Sequence, residues 1–171
     1  MTKRTMRVEI ANRQTELAVP RKGIRRSVQV AAPDAWRAAS LSIVVVGSDE
    51  MAELNGRFTG RAGDTDVLAF PLDDGPGGDE RQVGEIVVSA SRAYEEAIAR
   101  GVEPRDELLL YVVHGMLHLL GYDDHSPEQQ RDMYEREASV LEAAGVCYVR
   151  YCGEPPAEGP SRREEKGNPN G

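Results

Sequence analysis

Three histidines, His114, His118 and His125, stand close together, and the 171-residue chain has no others. His114 and His118 are four positions apart in an apolar run, so on a helix their rings share one face. At a rise of about 1.5 Å per residue their Cα atoms lie about 6 Å apart along the axis, and two such imidazoles can meet one ion at about 2.0–2.1 Å. Gly121 is placed to end that helix in a left-handed turn. Tyr122, Asp123 and Asp124 then give enough chain to bring His125 back. Three imidazoles on one ion leave a position open for water or a substrate oxygen. Zinc suits such a set best; nickel, copper and iron are the alternatives. As mere core residues, the first two histidines would each need a buried partner, so a metal is the simpler account. The pair is not a His-Glu-x-x-His protease helix, because Gly115, Met116 and Leu117 lie between and none is a general base. Gly115 instead leaves room for another backbone or a substrate beside the metal.

The elements that must position these residues follow from periodicity. Met6 to Ala11 alternate as a half-buried strand does. Pro20 to Ala31 read as a helix, and Leu41 to Val46 as a buried strand. A helix follows with Ser48 as N-cap and Met51, Leu54 and Phe58 inward. Residues 59–65 are loop, Asp66 to Pro71 strand, Asp73 to Arg81 exposed loop, and Val83 to Ser89 strand. Ala90 to Arg100 form a helix stopped by Gly101. The helix from Arg105 to Leu120 is apolar nearly all round, which marks it as the central buried one. Ser126, Pro127 and Gln129 open the last helix as N-cap, N1 and N3. It runs to Ala144 with Met133, Tyr134, Ala138, Leu141 and Ala144 inward. Val146 to Tyr151 add a short strand. The order β-α-β-α-β-β-α-α-α predicts an α+β fold: one mostly buried four-stranded mixed sheet with helices packed on it. Residues 1–152 form the domain, and 153–171, without apolar periodicity, a disordered C-terminal tail.

Composition excludes several classes. Apolar residues are 40% and charged residues 29% of the chain, as in ordinary globular proteins. No apolar run reaches membrane-span length, and no apolar segment follows the charged N-terminus as in a signal peptide. Cys147 and Cys152 are too few for a disulfide framework, so no disulfide-linked partner and a cytoplasmic setting are expected. The net charge of -8 is uneven. Residues 1–30 hold eight Lys/Arg against Glu9 and Glu16, a net +6, which leaves -14 for the rest. Arg21, Lys22, Arg25 and Arg26 cluster on one helix. They suit a polyanion, or else form a solvated face.

The segment His114-Gly115-Met116-Leu117-His118-Leu119-Leu120-Gly121-Tyr122-Asp123 resembles the metal-binding signature of the YbeY endoribonucleases, bacterial rRNA maturation factors. Leu41 to Val46 with Met51 to Asn55, Thr65 to Pro71, and Gly84 to Ser89 resemble further blocks of that family, in order, over residues 6–145. The resemblance implies a zinc-dependent, single-strand-directed endoribonuclease. It would act in 16S rRNA 3′-end maturation and ribosome quality control, with rRNA and the small ribosomal subunit as partners. His114, His118 and His125 would hold one Zn²⁺; Asp123 or Asp124 would orient a ligand histidine. Arg21, Lys22, Arg25 and Arg26 would hold the RNA backbone. Two departures stand out. The family has five residues between its second and third histidines and this chain has six, so Asp124 stands where the third histidine would fall; His125 is the expected ligand and Asp124 its rival. Where the family carries an arginine after an aromatic residue, this chain has Phe58 then Thr59, and Arg61 or Arg57 is expected to serve as the catalytic phosphate contact. The alternatives are an assembly factor with a structural metal and a metal-dependent hydrolase of another substrate.

Overall fold

The structure is a computed structural model that describes residues 5–72 and 81–146. The expected tail, Cys147 and Cys152, the strand expected beyond Val146, and the loop expected from Asp73, Arg81 apart, lie outside the described residues. The chain folds as β1 (Arg7–Asn12), α1 (Arg21–Ala31), a short 3-10 turn (Asp34–Trp36), β2 (Ser40–Val46), α2 (Ser48–Thr59), β3 (Val67–Pro71), β4 (Gln82–Ser89), α3 (Ala90–Arg100), α4 (Pro104–Leu119) and α5 (Pro127–Ala143). This is the expected α+β order, with the 3-10 turn added.

The four strands form one mixed sheet in the order β1-β2-β4-β3. β1, β2 and β4 run parallel, and β3 lies antiparallel on the edge beside β4. Alternation along β2 and β4 divides the core between the two faces. Leu41, Ile43, Val45, Ile86 and Val88 pack with Ile24 and Val28 of α1, Ala93 of α3, Met133 and Leu141 of α5, and most of α4. Val44, Val46 and Val87 face the other way, onto Met51 of α2 and Leu68 of β3. α2 therefore covers one face of the sheet and α4 the other.

Local chemistry on α2 differs from expectation. Ser48 is the first helical residue rather than the N-cap, which is Gly47. The Ser48 N–H donates to Ser91 Oγ at 2.9 Å, and its hydroxyl bonds Asp64 Oδ2 at 3.1 Å. Phe58 is 55% exposed rather than inward. The inward position one turn after Met51 is taken by Asn55, whose Nδ2 donates to the Gly63 carbonyl at 2.9 Å. Phe58 rests instead against Phe70, ring centroids 4.9 Å apart.

α4 is buried from Glu107 through Val113 and again from Gly115 through Leu117. Gly115 lets it press onto the sheet: a Cβ there would stand 2.7 Å from Ile86 Cγ2 and 3.0 Å from Val67 Cγ2. The space expected for a backbone or substrate is filled by those two side chains. Gly115 sets the height of the histidine helix above β3 and β4.

Candidate metal centre

The turn after α4 is built to bring its own carbonyl to a histidine ring. Gly121 adopts φ 92°, and its N–H donates to His118 O at 3.0 Å, while the Tyr122 N–H donates to Leu117 O at 3.0 Å. These two bonds make a Schellman turn. The Tyr122 carbonyl then lies 3.2 Å from His118 Nδ1. A carbonyl only accepts, so the His118 Nδ1 is the donor there, and in the neutral ring Nε2 is the free acceptor.

His114 is set the same way by a carboxylate. Its Nδ1 lies 2.5 Å from Glu137 Oε1 of α5, and Glu137 is 1% exposed. Burial favours the neutral His114 ring, but the Glu137 hydrogen bond and the charges of Glu137, Asp66 and Asp124 outweigh it and hold the pKa above the usual imidazole value. With Nδ1–H given to Glu137, the neutral ring also leaves Nε2 bare. The two Nε2 atoms converge to 2.9 Å, close enough to share one proton or to meet one cation. In the metal-free protein a proton held by the His114 ring bridges them, and a metal ion can take its place. This convergence is the donor geometry of a metal site, and the residues present fit one.

The third donor beside the pair is Asp124. Its Oδ2 lies 3.7 Å from His114 Nε2 and 3.9 Å from His118 Nε2, and the three side chains form a group able to hold an ion. His125, the expected third ligand, points elsewhere: its ring is 84% exposed, with Nε2 3.2 Å from Asp123 Oδ1. Both ends of the loop are pinned, which explains the register. The Schellman turn fixes Tyr122. A capping box fixes Ser126, whose Oγ accepts from Gln129 N at 3.2 Å while its N–H donates to Gln129 Oε1 at 3.0 Å. Gln130 Nε2 also donates to the Asp124 carbonyl at 2.9 Å. Asp124 thus occupies the inward position, and His125 makes a second, outer group with Asp123 and Asp124.

An open cleft of about 310 Å³ adjoins the centre, lined among others by Asp66, Arg92, Arg100, Glu107, His114 and Asp124. Its arginines come from α3. Arg57 and Arg61, the expected phosphate contacts, do not line it. Arg57 is in the last turn of α2 and lies over the Phe58 ring at 5.4 Å, and Arg61 follows just past the Gly60 C-cap. Arg21, Lys22, Arg25 and Arg26 are exposed on α1, as expected; Arg21 Nη1 donates to the Ile10 carbonyl at 2.9 Å. Glu137 escaped the sequence reading, which gave the orienting role to Asp123 or Asp124. Its signal was a carboxylate on the inward stripe Met133, Glu137, Leu141, because a buried charge there requires a partner.

A family model described as Endoribonuclease YbeY matches residues 9–145. The Endoribonuclease YbeY of Salinispora tropica is 43% identical over 114 residues, which are 60% of this chain and 73% of that protein. The Endoribonuclease YbeY of Nocardia farcinica is 37% identical over 148 residues, 80% of this chain and 79% of that protein. The solution structure of TM1509 from Thermotoga maritima superposes with a TM-score of 0.55 at 27% identity, covering 82% of this chain and 89% of that one.

Proposed function

The chain belongs to the YbeY endoribonuclease family, and from that premise we propose that it is a metal-dependent endoribonuclease that cuts single-stranded RNA. Its substrate is rRNA, in 16S 3′-end maturation and ribosome quality control, and its partner is the small ribosomal subunit in the cytoplasm. Among the described residues no helix is long and apolar enough to cross a membrane. The observation that carries the metal reading is the convergence of both Nε2 atoms, 2.9 Å apart, with the Asp124 carboxylate beside them.

His114, His118 and Asp124 would hold the ion, and zinc is the preferred occupant of this imidazole and carboxylate set. When bound, it supplies Lewis-acid polarisation of a phosphate oxygen. The chain's own residues do the positioning. Glu137 holds the His114 ring and its tautomer, and the Tyr122 carbonyl does the same for His118. Arg25 and Arg26, with Arg21 and Lys22, present an exposed basic face suited to an RNA backbone.

The test is to strip the protein with a chelator, reload it with zinc, and assay both forms on single-stranded and duplex RNA. Cleavage of the single strand by the reloaded form alone is expected. Equal cleavage by the stripped form, or none by the reloaded one, would overturn the proposal. RNA affinity should also fall with added salt. An Arg25→Ala/Arg26→Ala variant should bind more weakly with a shallower salt slope, by about two contacts' worth. Binding equal to wild type at low salt would remove α1 from the interface.

A further inference from the structure

The cleft beside His114 is strongly acidic for a site that receives a polyanion. Asp66, Glu96, Glu107, Asp124 and Glu137 line it against Arg92 and Arg100. Most of these charges are already matched. Arg100 donates to Glu107 Oε1 at 2.9 Å and lies 3.0 Å from Glu96 Oε2. Glu137 is engaged with His114, and Asp124 faces the two imidazoles.

Arg92 differs. Its guanidinium approaches Glu96 only to 4.0 Å, and its Nε–H is covered from solvent with no acceptor among the described residues. A buried donor without a partner is costly and marks a place where a ligand gains by supplying an acceptor. The base of the side chain is fixed. The Arg92 N–H donates to the Ser89 N-cap hydroxyl at 3.2 Å, and the Tyr111 hydroxyl donates to the Arg92 carbonyl at 3.4 Å. The side chain itself stays 38% exposed. It is a tethered planar cation with unused donors, in the same cleft as His114.

We propose that Arg92 is the phosphate-binding arginine of this cleft, gripping a backbone phosphate of the RNA strand as it lies against the metal centre. A guanidinium turned toward the cleft can give two parallel N–H donors to two phosphate oxygens at once, which a lysine cannot, and that turn would also release the Nε–H from its cover. The role falls to α3 because its arginines line the cleft and Arg57 and Arg61 do not. The proposal rests on the endoribonuclease reading above, so its test has two arms.

Zinc-loaded wild type, Arg92→Ala, Arg92→Lys and, as a charge control, Arg37→Ala are compared in cleavage of a single-stranded RNA. They are also compared in binding of its 2′-deoxy analogue, scored on the oligonucleotide that stays intact. Zinc content and melting temperature are measured throughout. Arg92→Ala should keep its zinc and its melting temperature yet lose roughly 10- to 100-fold in analogue affinity and kcat/KM, the range for one charge-assisted contact. Arg92→Lys should recover only part, and Arg37→Ala should match wild type. Arg92→Ala that binds the analogue like wild type would overturn the assignment. A wild type that binds without cutting would sink the endoribonuclease reading, while the binding arm would still decide the role of Arg92.

Discussion

His114→Ala is expected to lose metal and RNA cleavage together. Each ligand carries a large share of the affinity of a three-donor site. With structural zinc sites at about 10–16 kcal/mol in total, loss of one ligand should weaken binding by roughly 10²–10³-fold. Cleavage should fall to background at stoichiometric zinc. Equal cleavage by wild type and variant would mean a contaminating nuclease. The raised pKa of His114 adds a pH signature. Metal needs the neutral ring, so affinity should fall with acid at a higher pH than an ordinary imidazole would dictate. In the metal-free protein the sign is opposite. A folded pKa above the unfolded one gives stability that is fully present below the unfolded value and lost as pH rises through the folded value. The melting-temperature gap between loaded and free protein should therefore widen as pH rises from below the ordinary imidazole value through the raised value of His114. A gap that narrows would contradict the placement of His114 against Glu137.

Glu137→Gln should come next in size. Glutamine keeps the shape and an acceptor for His114 Nδ1 but removes the charge. Replacing the carboxylate behind a ligand histidine weakens metal binding by about 10–100-fold. The variant should fold, and excess zinc should restore cleavage, which separates orientation of a ligand from direct chemistry. Glu137→Ala should do more, because it leaves the buried Nδ1–H unpaired and opens a cavity. Zinc titration and denaturant unfolding measure the two effects. Affinity in Glu137→Gln equal to wild type would show that the 2.5 Å contact does not support the site.

The elements of this fold were legible because apolar spacing and end signals agree along most of the chain. Gly121 and the Ser126-Pro127-Gln129 start both function as the sequence suggests. The sequence named both His125 and Asp124 for the third position, and neither of the two motifs beside them chooses between them alone. Each fixes one end of a short loop, and only their joint spacing turns Asp124 inward and His125 outward. Glu137 lies 23 residues from the histidine that it holds, and nothing local names its partner. That Arg57 and Arg61 do not line the cleft has a topological reason. Phe58, Arg57 and Arg61 resemble a substrate loop locally, but the side of the sheet that α2 covers follows from the strand order β1-β2-β4-β3. That order is set by long-range pairing. Arg92 and Arg100 reach the cleft because α3 packs on the same face as α4.

The central claim is that His114, His118 and Asp124 form one metal centre, with His125 outside it. Zinc affinity measured against a competing chelator in Asp124→Ala and His125→Ala tests it most directly. A loss of roughly 10²–10³-fold is expected for Asp124→Ala, one ligand's share, and near wild-type affinity for His125→Ala. The reverse ranking, with His125→Ala losing its zinc and Asp124→Ala keeping it, would contradict the account.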